Sequence, residues 1–228
     1  MIDLNTLTAE QLAKCFDHTL LKADAVEADF VKLCDEAKEY GFYSVMVNPS
    51  RVALCKKLLE GTDIKIGTVI GFPLGATTIA DKVTETRRAI EAGADEIDYV
   101  LNVGMLREGN LEYIQQEMLE IVAACRMRKA GCKVILETCY LTDEEITAAC
   151  ETAAFYLPDF VKTSTGFGTG GATPEHVALM AKKASKKVKV KASGGIRTWA
   201  DCKAMLEAGA ERIGASAGVK ILQEFNQQ

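Results

Sequence analysis

One short pattern recurs four times along the chain and restricts the fold more than any other feature. A helical stretch runs into glycine and then into a short apolar strand: KEYGFYSVMV (38–47), EAGADEIDYV (91–100), KAGCKVILE (129–137) and EAGAERIGAS (207–216). Glycine after a last helical turn supplies the left-handed cap that lets a chain double back. Helix starts are marked as well. Thr142 precedes Asp143-Glu144-Glu145, Thr173 precedes Pro174, and Thr198 stands three residues before Asp201, all N-terminal capping patterns. With this punctuation, strands fall near 16–21, 44–48, 64–71, 96–102, 133–138, 160–165, 187–192 and 212–216. Amphipathic helices lie between them, among them 26–39, 78–92, 110–129 and 142–155. SVMV, IGTVI and KVILE are continuous apolar runs, as expected for strands covered on both faces. Eight strand–helix units without a linker or composition break predict one closed (β/α)8 barrel over 1–228, with a short helix at its N-terminus. A doubly wound open sheet is the rival, and at this length it ordinarily has fewer strands.

With 228 residues, 48% of them hydrophobic, the chain can bury a large core. No apolar run reaches the roughly 18 residues that span a membrane. The N-terminal MIDLNTLTAEQLAKCF is acidic and amphipathic, unlike the basic-then-apolar order of a signal peptide. A formal charge of −5 argues against nucleic acid as a partner. The eight cysteines include no C-x-x-C pair and no nearby histidine set. That argues against a zinc site and for reduced thiols in the cytoplasm.

Active sites of such barrels lie at the C-terminal ends of the strands. A polar residue is therefore of interest when it sits near a strand end and alternates inward. Lys162 does so in DFVKTSTG, and Lys191 does so in KKVKVKASGG, where Val188 and Val190 face the other way. Lys189 shares that face but lies low, where pairing or escape to solvent at the bottom explains it. A lone lysine at a strand end either snorkels to water or is an amine kept neutral for chemistry. Two on successive strands favour the second reading. Strands about 4.8 Å apart bring the amines within about 4 to 6 Å. At that distance, two unit charges repel by roughly 4 kcal/mol at an effective dielectric near 20. Such repulsion lowers a lysine pKa by about 3, and desolvation adds to it. A neutral amine attacks carbonyl carbon and forms a Schiff base.

DEIDYVLNVG alternates Ile97, Tyr99, Leu101 and Val103 against Glu96, Asp98 and Asn102. Asp98 lies mid-strand, within reach of a lysine from another strand. It is either a satisfied interior ion pair or a group that helps protons move. FDHTLLK offers Asp17, His18 and Lys22 at the end of the first strand, as substrate-binding groups or as a turn network with His18 as a cap. GFGTGG (166–171) matches a dinucleotide fingerprint literally. It follows the wrong strand for that role, and a lysine tract stands where an acidic ribose ligand belongs. Gly194-Gly195 after the seventh strand and GAS (214–216) after the eighth fit a phosphate site better. Those loops bind phosphate through backbone N–H groups, with Ser216 adding a hydroxyl. Arg197 is either an added charge there or a surface cap.

FDHTLL, DEIDYVLNVG, FVKTSTGF, VKASGGIRT and RIGAS occur in order from about residue 15 to 220. The chain thereby resembles the deoxyribose-phosphate aldolases. The resemblance implies a TIM barrel and a class I aldolase with no cofactor and no metal. It also implies reversible cleavage of 2-deoxy-D-ribose 5-phosphate to acetaldehyde and D-glyceraldehyde 3-phosphate, in deoxynucleoside catabolism. Its partners would be a small phosphorylated sugar and aldehydes, with no nucleic acid and no membrane, in a cytoplasmic homodimer. By matching motifs Lys162 would be the Schiff-base lysine, Lys191 its tuning neighbour, and Asp98 a proton shuttle with Lys191 through water. Asp17, Lys22, Thr165, Gly166, Gly194, Gly195 and Ser216 would bind substrate. Three departures stand out: Met46 replaces a cysteine of many relatives, Ala217 replaces a frequent second serine, and the sequence ends FNQQ where some longer members carry a tyrosine tail. Another Schiff-base aldolase or a phosphosugar isomerase on the same barrel, or a catalytically dead phosphometabolite binder, are the alternatives.

Overall fold

The structure is a computed structural model that describes residues 4–227. Helix α1 (Ala9–Ala13) precedes the first strand, β1 (Phe16–Leu20). Strand and helix then alternate: α2 (Glu27–Tyr40), β2 (Ser44–Val47), α3 (Val52–Leu58), β3 (Lys65–Ile70), α4 (Ile79–Glu91) and β4 (Glu96–Val100). Two helices, α5 (Val103–Arg107) and α6 (Leu111–Met127), lead to β5 (Gly131–Ile135). The chain continues through α7 (Asp143–Tyr156), β6 (Phe160–Lys162), α8 (Pro174–Lys183), β7 (Lys189–Ser193), α9 (Trp199–Glu207), β8 (Arg212–Ala215) and α10 (Gly218–Phe225). The eight strands are parallel, pair in chain order and close, with Phe16 of β1 opposite Ile213 of β8. This is the (β/α)8 barrel that the strand count predicts.

Local sequence explains the helix ends. Thr142 caps α7: its hydroxyl accepts from Glu145 N–H, and the Glu145 carboxylate accepts from Thr142 N–H at 2.7 Å. The same reciprocal box opens α9 at Thr198 and Asp201, while Thr173 and Pro174 open α8. Gly41 ends α2 in the left-handed region, as expected. Gly131 departs from the repeated pattern. It opens β5 packed against the Glu96 side chain, and Lys129 takes the positive φ instead.

Two further boundaries shift. Strand β4 stops at Val100 because Asn102 turns outward, caps α5 and donates its N–H to Glu117 at 3.0 Å. Asn102 is therefore not an interior residue. Strand β6 stops at Lys162 because a side chain takes over the ladder. The Thr163 hydroxyl donates to Ser193 C=O at 3.0 Å and accepts from Ser193 N–H at 3.1 Å. That hand-over frees the chain to leave the sheet three residues after Lys162.

The apolar core is a shell between strands and helices, built from residues such as Ile97, Tyr99, Val134 and Ile213 facing Met118, Ile146 and Ile221. Each such side chain contributes about 1.5–3 kcal/mol on burial. The barrel interior is different. A small apolar cluster of Leu21, Met46 and Val69 with Phe72 and the Phe160 ring against Lys133 and Arg212 share it with a network of buried charges.

Candidate active site

Alternation along the strands carries the charges inward. Asp17 comes from β1, Glu96 and Asp98 from β4, Lys133 from β5, Lys162 from β6, Lys191 from β7 and Arg212 from β8. All seven are buried. Register then joins them, with Asp98 opposite Lys133 and Lys162 opposite Lys191. Lys133 donates to Glu96 at 2.7 Å and to Asp98 Oδ1 at 2.8 Å. Lys191 donates to Asp98 Oδ2 at 2.7 Å and, by a short contact, to Asp17. Arg212 donates to Asp17 at 2.7 Å and lies 3.4 Å from Glu96. Lys162 has one carboxylate contact, Asp98 Oδ2 at 2.9 Å, on the oxygen Lys191 also uses.

Among the described residues this network sets three carboxylates against four basic groups. A buried charge without a partner is costly. The excess therefore falls on the base with the smallest share of carboxylate, Lys162. Burial depresses its pKa to about 8; Asp98 resists, and Lys191 and Lys133 add to the depression. From an ordinary value near 10.5, that gives roughly 300-fold more neutral amine at pH 7. Burial would raise the Asp98 pKa, but Lys133, Lys162 and Lys191 outweigh it and hold the carboxyl well below the usual range. Desolvation is thus the larger cause of the Lys162 shift. The charge repulsion expected from Lys191 is a smaller one.

Above Lys162 a cleft of about 260 Å³ opens at the C-terminal strand ends. Thr165, Gly166, Gly194, Gly195, Ser216, Lys22 and Arg197 line it together with Lys162. The three glycines all have φ between 81° and 87°, a conformation open to glycine and strained for other residues. Lys22, Ser216 and Arg197 are exposed at the rim. A larger hollow of about 530 Å³ lies beside it, between β1 and α2, and shares Lys22 and Ser216 with the cleft. Lys162 does not line it. The residues expected at the phosphate end thus converge on the cleft that contains the Lys162 amine.

Two expected substrate groups sit differently. Asp17 is fully buried and holds Lys191, Arg212 and the Ser44 hydroxyl. It does not line the cleft, because strand alternation turns it into the barrel below the mouth. Thr165 lines the cleft, yet its hydroxyl proton is directed at Glu137. His18 stacks on Phe42, meets Glu36 at 2.7 Å and lines the larger hollow. Lys189 reaches solvent at the bottom, near the Phe160 ring.

Lys133, Arg212 and Glu137 join the site without standing out in the sequence motifs. KVILE reads as an apolar run, which hides that Lys133 and Glu137 alternate with Val134 and Leu136. The period-two test applied to the lysines of β6 and β7 finds Lys133 as well.

A model of the DeoC/LacD family of aldolases matches residues 11–224. The deoxyribose-phosphate aldolase of Caldanaerobacter subterraneus subsp. tengcongensis is 55% identical over 218 residues, covering 95% of this chain and 94% of that one. That of Thermoanaerobacter pseudethanolicus is 56% identical over 216 residues, 94% of this chain and 97% of that one. The tetrameric structure of deoxyribose phosphate aldolase from Aeropyrum pernix superposes with a TM-score of 0.91 at 36% identity, covering 98% of this chain and 94% of that one.

Proposed function

The chain belongs to the DeoC/LacD family of aldolases, and from that premise we propose that Lys162 forms the Schiff base of a class I reaction. The enzyme is a lyase that reversibly cleaves 2-deoxy-D-ribose 5-phosphate to acetaldehyde and D-glyceraldehyde 3-phosphate. One observation carries the residue assignment: a buried amine with a pKa near 8 at the floor of the cleft.

The Lys162 amine attacks C1 of the open-chain sugar, and loss of water leaves an iminium. That cation accepts the electron pair of the C2–C3 bond as the C3 hydroxyl gives up its proton. D-glyceraldehyde 3-phosphate leaves, and an enamine remains on Lys162. Protonation of its terminal carbon and hydrolysis then release acetaldehyde. Lys133, Lys162 and Lys191 around Asp98 favour its ionised form. Its role is to orient Lys191 and a water that together move the proton at the C3 hydroxyl. Backbone N–H groups at Gly166, Gly194 and Gly195, the Ser216 hydroxyl and the Lys22 charge hold the phosphate.

Incubation with 2-deoxyribose 5-phosphate and borohydride, followed by peptide mapping, tests this reading. A reduced adduct on Lys162 is expected. An adduct elsewhere, or none, overturns it. The same reading includes a cytoplasmic homodimer, supported by the family resemblance and by eight free cysteines among the described residues. Sedimentation equilibrium at twice the 24.7 kDa chain mass supports the dimer, and a mass near four chains replaces it with a tetramer.

A further inference from the structure

Strand β5 ends against Glu137, whose backbone lies at φ 49° and ψ 60°. That left-handed conformation is costly for a residue with a side chain and persists where the surroundings impose it. The carboxylate is 3% exposed, and among the described residues no lysine or arginine pairs with it. A buried carboxylate without a cation needs strong hydrogen bonds. Glu137 receives two from the loop after β6, Thr165 N–H at 3.2 Å and the Thr165 hydroxyl by a short contact, and a weaker one from Cys139 Sγ at 3.8 Å. The hydroxyl oxygen in turn accepts from Phe167 N–H at 3.0 Å.

The glycine-rich loop after β6 is pinned at both ends. A β-carbon at Gly168 would lie 3.1 Å from the Glu137 carboxyl carbon and 2.8 Å from Cys139 Sγ. At Gly171 it would fall 2.2 Å from the Gly194 carbonyl oxygen. The loop therefore rests on the end of β5 at one side and on the Gly194-Gly195 loop at the other. Gly166 lies between Thr165 and Phe167, the two residues that the Glu137–Thr165 contact holds.

We propose that Glu137 is a positioning residue for the phosphate end of the substrate, acting through Thr165. It fixes the Thr165–Phe167 backbone so that Gly166 presents its N–H to the phosphate in register with Gly194 and Gly195. On this assignment the Thr165 hydroxyl holds the loop rather than the sugar. The inference rests on the phosphosugar reading of the cleft, and it divides the site into a lysine network and a separately tuned phosphate cradle.

Steady-state kinetics of Glu137→Leu, Thr165→Val and Thr165→Ser, with phosphorylated and unphosphorylated 2-deoxyribose, test it. Glu137→Leu and Thr165→Val should raise KM for the phosphosugar about tenfold or more, while KM for 2-deoxyribose and both kcat values change less than about threefold. Thr165→Ser should restore the wild-type KM. Borohydride trapping of acetaldehyde on Lys162 should be unchanged in every variant. An equal rise of KM for both sugars, unaltered kinetics, or trapping that falls with activity overturns the proposal. If Glu137→Leu does not fold, Thr165→Val and Thr165→Ser separate the same outcomes. Wild-type enzyme that traps nothing on Lys162 refutes the underlying reading instead, so the two failures are distinct.

Discussion

Low in the barrel, Lys133 is bonded to Glu96 and Asp98 and lies 3.8 Å from Asp17. At the mouth, Lys162 reaches only one oxygen of Asp98 and shares it with Lys191. Both amines are buried, both touch the same carboxylate, and they sit one strand apart. Their proton affinities nevertheless move in opposite directions. Burial lowers the affinity of each. Asp98, Glu96 and Asp17 overcome that penalty for Lys133 and raise its pKa, whereas Lys162 falls to about 8. The share of carboxylate, not burial, separates the lysine whose pKa rises from the one whose pKa falls. Lys82 adds a second contrast. It too is buried with its pKa lowered, yet it is tied to Glu117 and two carbonyls outside the barrel and does not line the cleft that holds Lys162. A lowered pKa becomes chemistry only where a substrate can reach the amine.

The comparison breaks most completely if the mouth lysine is dispensable. Lys162→Met should lower kcat by roughly 10⁴-fold and abolish trapping; activity within tenfold of wild type would contradict the assignment. Next comes the carboxylate that both lysines share. Asp98→Asn should cost about 10²–10⁴ in kcat and roughly 3–5 kcal/mol of stability, because it leaves buried cations unpaired. Urea unfolding measures the second effect.

Acid sharpens the same point. Asp17 and Asp98 have folded pKa values depressed below the unfolded value near 3.9. The stability they contribute is therefore fully present above about pH 4 and is lost as pH falls through their folded values. A plot of stability against pH should be flatter below pH 4 in Asp98→Asn than in wild type. Smaller effects come from the neighbours. Lys191→Leu or Lys133→Met should each raise the Lys162 pKa by about 1 and move imine formation to higher pH. An unmoved profile assigns the shift to desolvation alone. Ser216→Ala should raise KM for the phosphosugar only about threefold, the loss of one exposed hydrogen bond.

Much of this was readable from residues. The recurring glycine, the capping threonines and the apolar strands specify the barrel because each acts locally. Lys162, Lys191 and Asp98 follow from period-two alternation on strands whose order is known. Asp17 illustrates the limit. FDHTLLK places it beside a strand end, but its depth depends on the register between β1 and β2, where it pairs with Ser44. Lys133 was hidden by its apolar neighbours, and Glu137 by a positive φ that no residue type announces. The loop contacts of Gly168 and Gly171 depend on three strands arriving together, which local sequence does not encode.

Site-resolved titration of the lysine amines by NMR tests the central comparison most directly, because one sample reports both residues. The account predicts that Lys162 titrates with a midpoint near pH 8 while Lys133 keeps its proton beyond the ordinary lysine range. Lys162 and Lys133 titrating together near pH 10.5 would contradict it.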